Sequence, residues 1–186
     1  VSEEYDGSSW TEGPALNNAR RAIKGAGSTT AGVVFGGFHP SPKDETELWD
    51  GSSWTNSGDM NAGRANMAGC GTSTSALAAG GQPGVLDNVE SFNGSTWTAA
   101  TALNTARVGG SGAASVNTAA LVWGGYTQSP PTVITTNAES WDGSSWTEGP
   151  NLSTATYSGA GAGTQPAAIA FGGNAAPGKT GATELW

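Results

Sequence analysis

Trp49-Asp50-Gly51-Ser52-Ser53-Trp54 is the stretch that decides the fold, because it is not unique in the chain. It recurs as Tyr5-Asp6-Gly7-Ser8-Ser9-Trp10, as Phe92-Asn93-Gly94-Ser95-Thr96-Trp97 and as Trp141-Asp142-Gly143-Ser144-Ser145-Trp146. The second aromatics, Trp10, Trp54, Trp97 and Trp146, are spaced 44, 43 and 49 residues apart. Each is followed after 26 or 27 residues by a glycine pair: Gly36-Gly37, Gly80-Gly81, Gly124-Gly125 and Gly172-Gly173. The constant part of the repeat thus runs from Trp to Gly-Gly. Variation in length falls in the segment after the glycines.

A self-similar period of this length marks a repeat architecture, in which one supersecondary unit buries its apolar face only against its neighbours. Each unit reads as four short strands. The first covers Arg20 to Gly27, Arg64 to Gly71, Arg107 to Ala114 and Thr156 to Gly163. The second is apolar and stops at the glycines, as in Gly32-Val33-Val34-Phe35. The third ends in an aromatic, as in Thr46-Glu47-Leu48-Trp49, and Asp-Gly or Asn-Gly then supplies the positive φ of a tight hairpin into the fourth, Trp-bearing strand. No segment carries an apolar stripe of helical period. The expectation is an all-β β-propeller: a single domain over residues 1–186, with repeats at roughly 11–54, 55–97, 98–146 and 147–186 and residues 1–10 as a partial blade.

These residues resemble the kelch family, whose pattern is an apolar strand ending in Gly-Gly, then an aromatic, then a Trp a few residues later. The likeness covers the whole chain and implies four-stranded kelch-like blades. The run Trp-Asp-Gly-Ser-Ser-Trp-Thr with a following Leu-Asn-Thr-Ala-Arg is closer still to kelch-type repeats of marine bacteriophages and environmental sequences. The sequence opens on a third strand, Val1 to Tyr5, and closes on another, Thr183 to Trp186, giving five third strands to four of each other kind. The expectation is that the two ends overlap in a closing blade, or that the array is part of a larger ring. Docking on another chain is the less favoured way to cover the flanks.

Composition narrows the chemistry. The 186 residues hold 1 Cys, 1 His, 7 Lys+Arg and 15 Asp+Glu, for a formal net charge of -8. One cysteine permits no internal disulfide, and with one histidine it builds no Cys/His zinc cage. A net negative chain repels phosphate backbones, which argues against nucleic acid. No run approaches 18 apolar residues, which argues against membrane insertion by a helix. Gly25-Ala26-Gly27 and Gly161-Ala162-Gly163 are followed by neither a helical pattern nor Lys-Ser/Thr, so no phosphate loop is expected. Galactose oxidase, a copper enzyme brought up by the kelch resemblance, needs histidine and tyrosine ligands that one His and three Tyr do not supply.

Residues that recur in every unit read as architecture. Glu3, Glu47, Glu90, Glu139 and Glu184 each stand two positions before the third-strand aromatic, and Arg20, Arg64 and Arg107 each stand ten after the Trp, with Thr156 in the fourth copy. Fixed phase suggests Arg–Glu pairs near the blade interfaces, since a buried carboxylate needs a partner. Cys70 aligns with Ala26, Ala113 and Ala162, so it reads as a small packing residue. No catalytic residue, metal site or cofactor is expected. Trp10, Trp54, Trp97 and Trp146 are expected in equivalent buried sites between blades.

What remains is surface. The variable segments Phe38 to Glu45, Gln82 to Asn88, Tyr126 to Asn137 and Asn174 to Gly181 leave the blades on one face, and loops of varied length on a rigid scaffold are where specificity is placed. Phe38, His39 and Tyr126 are the candidate ligand-binding residues. The functional expectation is a non-enzymatic structural or adhesive module, such as a phage tail-fibre or capsid-surface protein. Its partners would be other virion proteins or a cell-surface glycan or receptor, its location virion or extracellular, and self-association is compatible with it. The alternative is a secreted lectin-like propeller.

Overall fold

Short apolar strands cut by glycine and Asp-Gly turns leave no length for a helix, and none occurs among the described residues. The computed structural model describes residues 2–128 and 130–186; Val1, in the first expected strand, and Ser129, in the third variable loop, lie outside them. The chain forms a four-bladed β-propeller arrangement of antiparallel sheets.

A hairpin of β1 (Ser2–Tyr5) and β2 (Trp10–Gly13) comes first. Blade one is β3 (Lys24–Ser28), β4 (Ala31–Phe35), β5 (Thr46–Trp49) and β6 (Trp54–Asn56). Blade two is β7 (Ala68–Thr72), β8 (Ser75–Ala79), β9 (Val89–Phe92) and β10 (Trp97–Ala100). In blade three, β11 (Ser111–Val116) and β12 (Ala119–Trp123) join β15 (Ala138–Trp141) and β16 (Trp146–Glu148). Its variable loop forms a small extra hairpin, β13 (Tyr126–Gln128) with β14 (Val133–Ile134). Blade four has three strands, β17 (Ala160–Thr164), β18 (Ala167–Phe171) and β19 (Thr183–Leu185).

The first strands are innermost, and β3, β7, β11 and β17 stack on one another in that order. Their small side chains permit this: a Cβ on Gly69 would meet Lys24 Cβ at 2.6 Å, and one on Gly161 would meet the Trp123 ring at 2.3 Å. Apolar clusters fill the spaces between blades. Val33, Phe35 and Met60 of blade one meet Ala76, Phe92 and Trp97 of blade two; Leu77, Val89 and Leu103 then meet Val122, Trp141 and Trp146 of blade three.

Three expectations are corrected. The first strands begin four residues later than Arg20, Arg64, Arg107 and Thr156, because Ala22, Asn66, Gly109 and Ser158 all take φ between 52° and 69° and break the ladder before it starts. The ends do not overlap within one molecule: β1 pairs with β2 and β19 with β18, and no pairing joins the two termini among the described residues. The four Trp are not equivalent. Trp97 and Trp146 are each 6% exposed, Trp54 is half-buried, and Trp10 is 67% exposed.

The indoles differ because each packs against the preceding blade. Trp97 lies 4.9 Å from Phe35 of blade one and donates its Nε1–H to Thr46 Oγ1 at 2.9 Å. Trp146 donates to the Thr101 carbonyl at 3.0 Å. Ahead of Trp54 stands only the two-stranded hairpin, and Trp54 Nε1 is buried without a partner. Trp10 pairs with the Tyr5 ring of its own hairpin, at 5.2 Å.

Candidate functional site

The glycine pairs fix the backbone from which the variable loops start. All eight glycines have φ between 60° and 113°, a region in which a side chain is strained. The second glycine also links blades: Gly37, Gly81 and Gly125 each donate N–H at 2.8 Å to the carbonyl of Arg64, Arg107 or Thr156 in the following blade. A Cβ on the first glycine would strike that same carbonyl, at 2.6 Å for Gly36, 2.4 Å for Gly80 and 2.5 Å for Gly124.

Buried Arg–Glu pairs hold the other side of the loop in blades one to three. The Arg64 guanidinium donates to the Gly80 carbonyl at 3.0 Å, the Asn88 carbonyl at 2.8 Å and Glu90 Oε1 at 2.8 Å. Glu90 Oε2 accepts the Asn61 backbone and side-chain N–H groups. Arg20 with Glu47, and Arg107 with Glu139, repeat the arrangement. Burial pulls the Arg64 and Arg107 guanidiniums below their ordinary pKa, and the facing carboxylates oppose it. The pairs lie inside one blade, between the turn before its first strand and its third strand. Only the Arg main chain crosses the interface. In blade four Thr156 stands in the Arg position, and Glu184 accepts Ser153 and Thr154 N–H instead. Glu3 is exposed.

The left-handed residues that delay the first strands form a second line of inter-blade bonds. Asn66 donates to the Ala22 carbonyl at 3.2 Å, Gly109 to Asn66 at 2.6 Å and Ser158 to Gly109 at 2.6 Å. Beside it, the residue just after each glycine pair bridges the residue just before the left-handed one: Phe38 with Arg21, Gln82 with Ala65, Tyr126 with Val108 and Asn174 with Tyr157. These eight residues form a row beneath the loops with one backbone geometry and four different pairs of side chains, of which Ala65 and Val108 are buried.

Phe38 and Tyr126 therefore occupy repeat-equivalent places in blades one and three. Each is half-buried, and the exposed His39 follows Phe38. The Arg21 guanidinium lies over the Phe38 ring at 5.1 Å, a cation–π contact. Tyr126 meets Tyr157 of the next blade edge-on at 5.8 Å. The structure does not gather Phe38, His39 and Tyr126 into one pocket. It spreads the first and last along a row that also contains Arg21, Gln82, Tyr157 and Asn174. Those four were not singled out from sequence, although their fixed offset from Gly-Gly or from the Arg/Thr position was a usable signal. Each loop also contains one cis X-Pro bond, at Pro40, Pro83, Pro131 or Pro177.

Cys70 is 6% exposed, and burial pushes its thiol up to about 12, so it remains a neutral packing group. Among the described residues no three His, Cys, Asp or Glu side chains cluster as a metal site requires. Asp6, Asp50 and Asp142 are committed to their own hairpins, each accepting from the two following serines, which depresses their pKa. No protein-family model matches the chain, and no curated protein matches it.

Proposed function

We propose that this chain is a non-enzymatic recognition and display module of the kelch-like kind, carried on a virion surface and binding through the row of residues after its glycine pairs. The observation that carries the reading is the contrast along that row. Gly-Gly and the bridge recur in four blades and the Arg–Glu clamp in the first three, while the residue after the glycines changes from Phe38 to Gln82, Tyr126 and Asn174. A rigid frame that varies only its presented groups suits binding. The resemblance of the Trp-Asp-Gly-Ser-Ser-Trp-Thr repeat to marine phage sequences supports the virion setting. Immunogold labelling and peptide mapping of purified particles test it: the chain is expected on intact particles, and its absence from particles combined with abundance in the soluble lysate would reject the virion assignment.

The Tyr126–Tyr157 pair and the half-buried Phe38 favour one second reading, a lectin-like surface, because aromatic faces pack against the C–H faces of sugars. A glycan array probed with wild-type protein and Tyr126→Ala tests this. Signal lost in the variant supports it, and no signal from the folded wild type removes it.

A further inference from the structure

Blade two, which has a blade on either side, holds a cavity of about 350 Å³ bounded by its β9–β10 ladder, its variable loop and the turn that carries Arg64. Arg64, Asn88 and Glu90 line it with polar groups, and Leu86, Ala99 and Ala100 with apolar ones. Small-molecule sites occupy roughly 300–1,000 Å³ and combine an apolar wall with a few fixed polar groups. Asn88 and Ala99 are exposed, so a solute reaches them.

The neighbouring blades carry a polar side chain where blade two has none. Across the ladder from the third-strand glutamate stand Asn56 in blade one, Glu148 in blade three and Ala99 in blade two. Asn56 Oδ1 accepts from Asn17 Nδ2 at 3.3 Å. Glu148 Oε2 accepts from Asn137 Nδ2, and Asn137 Oδ1 in turn accepts from the Arg107 guanidinium. Asn88 holds the Asn137 position, since the carbonyls of both accept from the blade's arginine and from its first glycine. Ala99 offers it no acceptor, and among the described residues Asn88 is bonded through its main chain alone. Burial lowers the pKa of both guanidiniums; Glu139 and Glu148 oppose it at Arg107, and Glu90 alone at Arg64. Blade two thus repeats the blade-three arrangement with one carboxylate fewer.

We propose that the blade-two cavity binds a carboxylate carried on a short apolar stem, with the carboxylate in the place that the Glu148 carboxylate takes in blade three. Asn88 Nδ2 donates to it as Asn137 Nδ2 donates to Glu148, and the Arg64 charge favours it as the Arg107 charge favours Glu148. The stem lies against Leu86, Ala99 and Ala100, which is why an acid with an apolar body suits the site better than a bare anion. Glu90 does not forbid a second negative charge. Its two oxygens are already bonded to Arg64 and Asn61, and in blade three Glu139 and Glu148 face one another across the same ladder beside one arginine.

Titration of isotope-labelled protein with sodium valerate, followed residue by residue by nuclear magnetic resonance, tests the proposal. The Asn88 side-chain amide and the Leu86 and Ala99 signals are expected to shift saturably, with a dissociation constant on the order of 1 mM for so small a ligand, while the Asn137 amide stays in place. Valeramide has the same shape without the charge and is expected to bind about tenfold more weakly or worse. Ala99→Glu, which installs the blade-three residue at an exposed position, should abolish binding by occupying the site from within. Asn88→Ala, which keeps the carbonyl that Arg64 uses, should weaken it about tenfold; the dispersion of the backbone amide signals verifies that both variants fold. N-acetylglutamate amide carries the same carboxylate on a peptide unit and separates the two sources of such a group: tighter binding than valerate assigns the site to an acidic peptide, weaker binding to a free acid. No saturable shift with either carboxylate, equal affinity for valeramide, or binding undiminished in Ala99→Glu would overturn the proposal.

Discussion

Gly80→Ala and Gly172→Ala place the same methyl group at repeat-equivalent positions, and the structure assigns them different costs. Both glycines are left-handed, φ +69° and +65°, so each substitution carries the backbone penalty of about 1 kcal/mol. At Gly172 that is nearly all, since the nearest atom to the new Cβ is the Thr180 carbonyl oxygen at 3.9 Å. At Gly80 the Cβ falls 2.4 Å from the Arg107 carbonyl oxygen. Blade three must withdraw by most of an ångström, and that carbonyl also accepts the Gly81 N–H at 2.8 Å. Loss of a buried hydrogen bond adds about 1–3 kcal/mol. Gly80→Ala should therefore exceed Gly172→Ala by about 2 kcal/mol, roughly a 30-fold difference in the folding equilibrium. Urea denaturation followed by tryptophan fluorescence, at dilutions that keep the chain monomeric, gives the comparison. Equal midpoints for the two variants would refute the claim that the first glycine of each pair exists to admit the next blade.

Truncating the indoles should follow burial and not sequence: Trp97→Ala is expected to cost about 3–5 kcal/mol, and Trp10→Ala under about 1 kcal/mol, as surface changes do, both read from urea midpoints of the monomer. Arg64→Ala leaves Glu90 buried against Asn61 alone and should cost about 3–5 kcal/mol; a loss within experimental error would show that the clamp is ornamental. Because its hairpin serines hold Asp50 at a depressed pKa of about 2, the turn contributes stability that is present above the ordinary carboxylate range and is lost as pH falls toward 2. Asp50→Asn, which copies the Asn93 turn, should flatten that part of a melting-temperature profile between pH 5 and roughly pH 2, and an unaltered profile would count against the assignment.

Much of the frame was legible because it depends on local chemistry. Asp-Gly-Ser-Ser can close a hairpin whatever lies around it, and Gly-Gly at a constant distance from Trp marks a backbone that side chains would obstruct. Trp10 and Trp146 show where this stops. Their five-residue contexts are the same, yet one is exposed and the other buried, because burial comes from the neighbouring blade and not from the strand itself. The Arg–Glu pairing was legible from the shared phase, but not which carboxylate each arginine takes, since Arg20 could as well have faced Glu3 as Glu47. The left-handed line through Ala22, Asn66, Gly109 and Ser158 left no trace: four different residue types occupy it, held there by bonds from adjacent blades. The binding row was half legible for the same reason, as Phe38 and Tyr126 stand out as aromatics while Gln82 and Asn174 do not.

The blade stack itself is tested most directly by residue-resolved amide hydrogen exchange on the second glycine of each pair, at monomeric concentration. Gly37, Gly81 and Gly125 donate across blade interfaces and should exchange slowly, while Gly173 has no following blade among the described residues and should exchange orders of magnitude faster. Equal protection of all four would mean that the arc closes within one molecule, and rapid exchange at all four would mean that the blades do not stack.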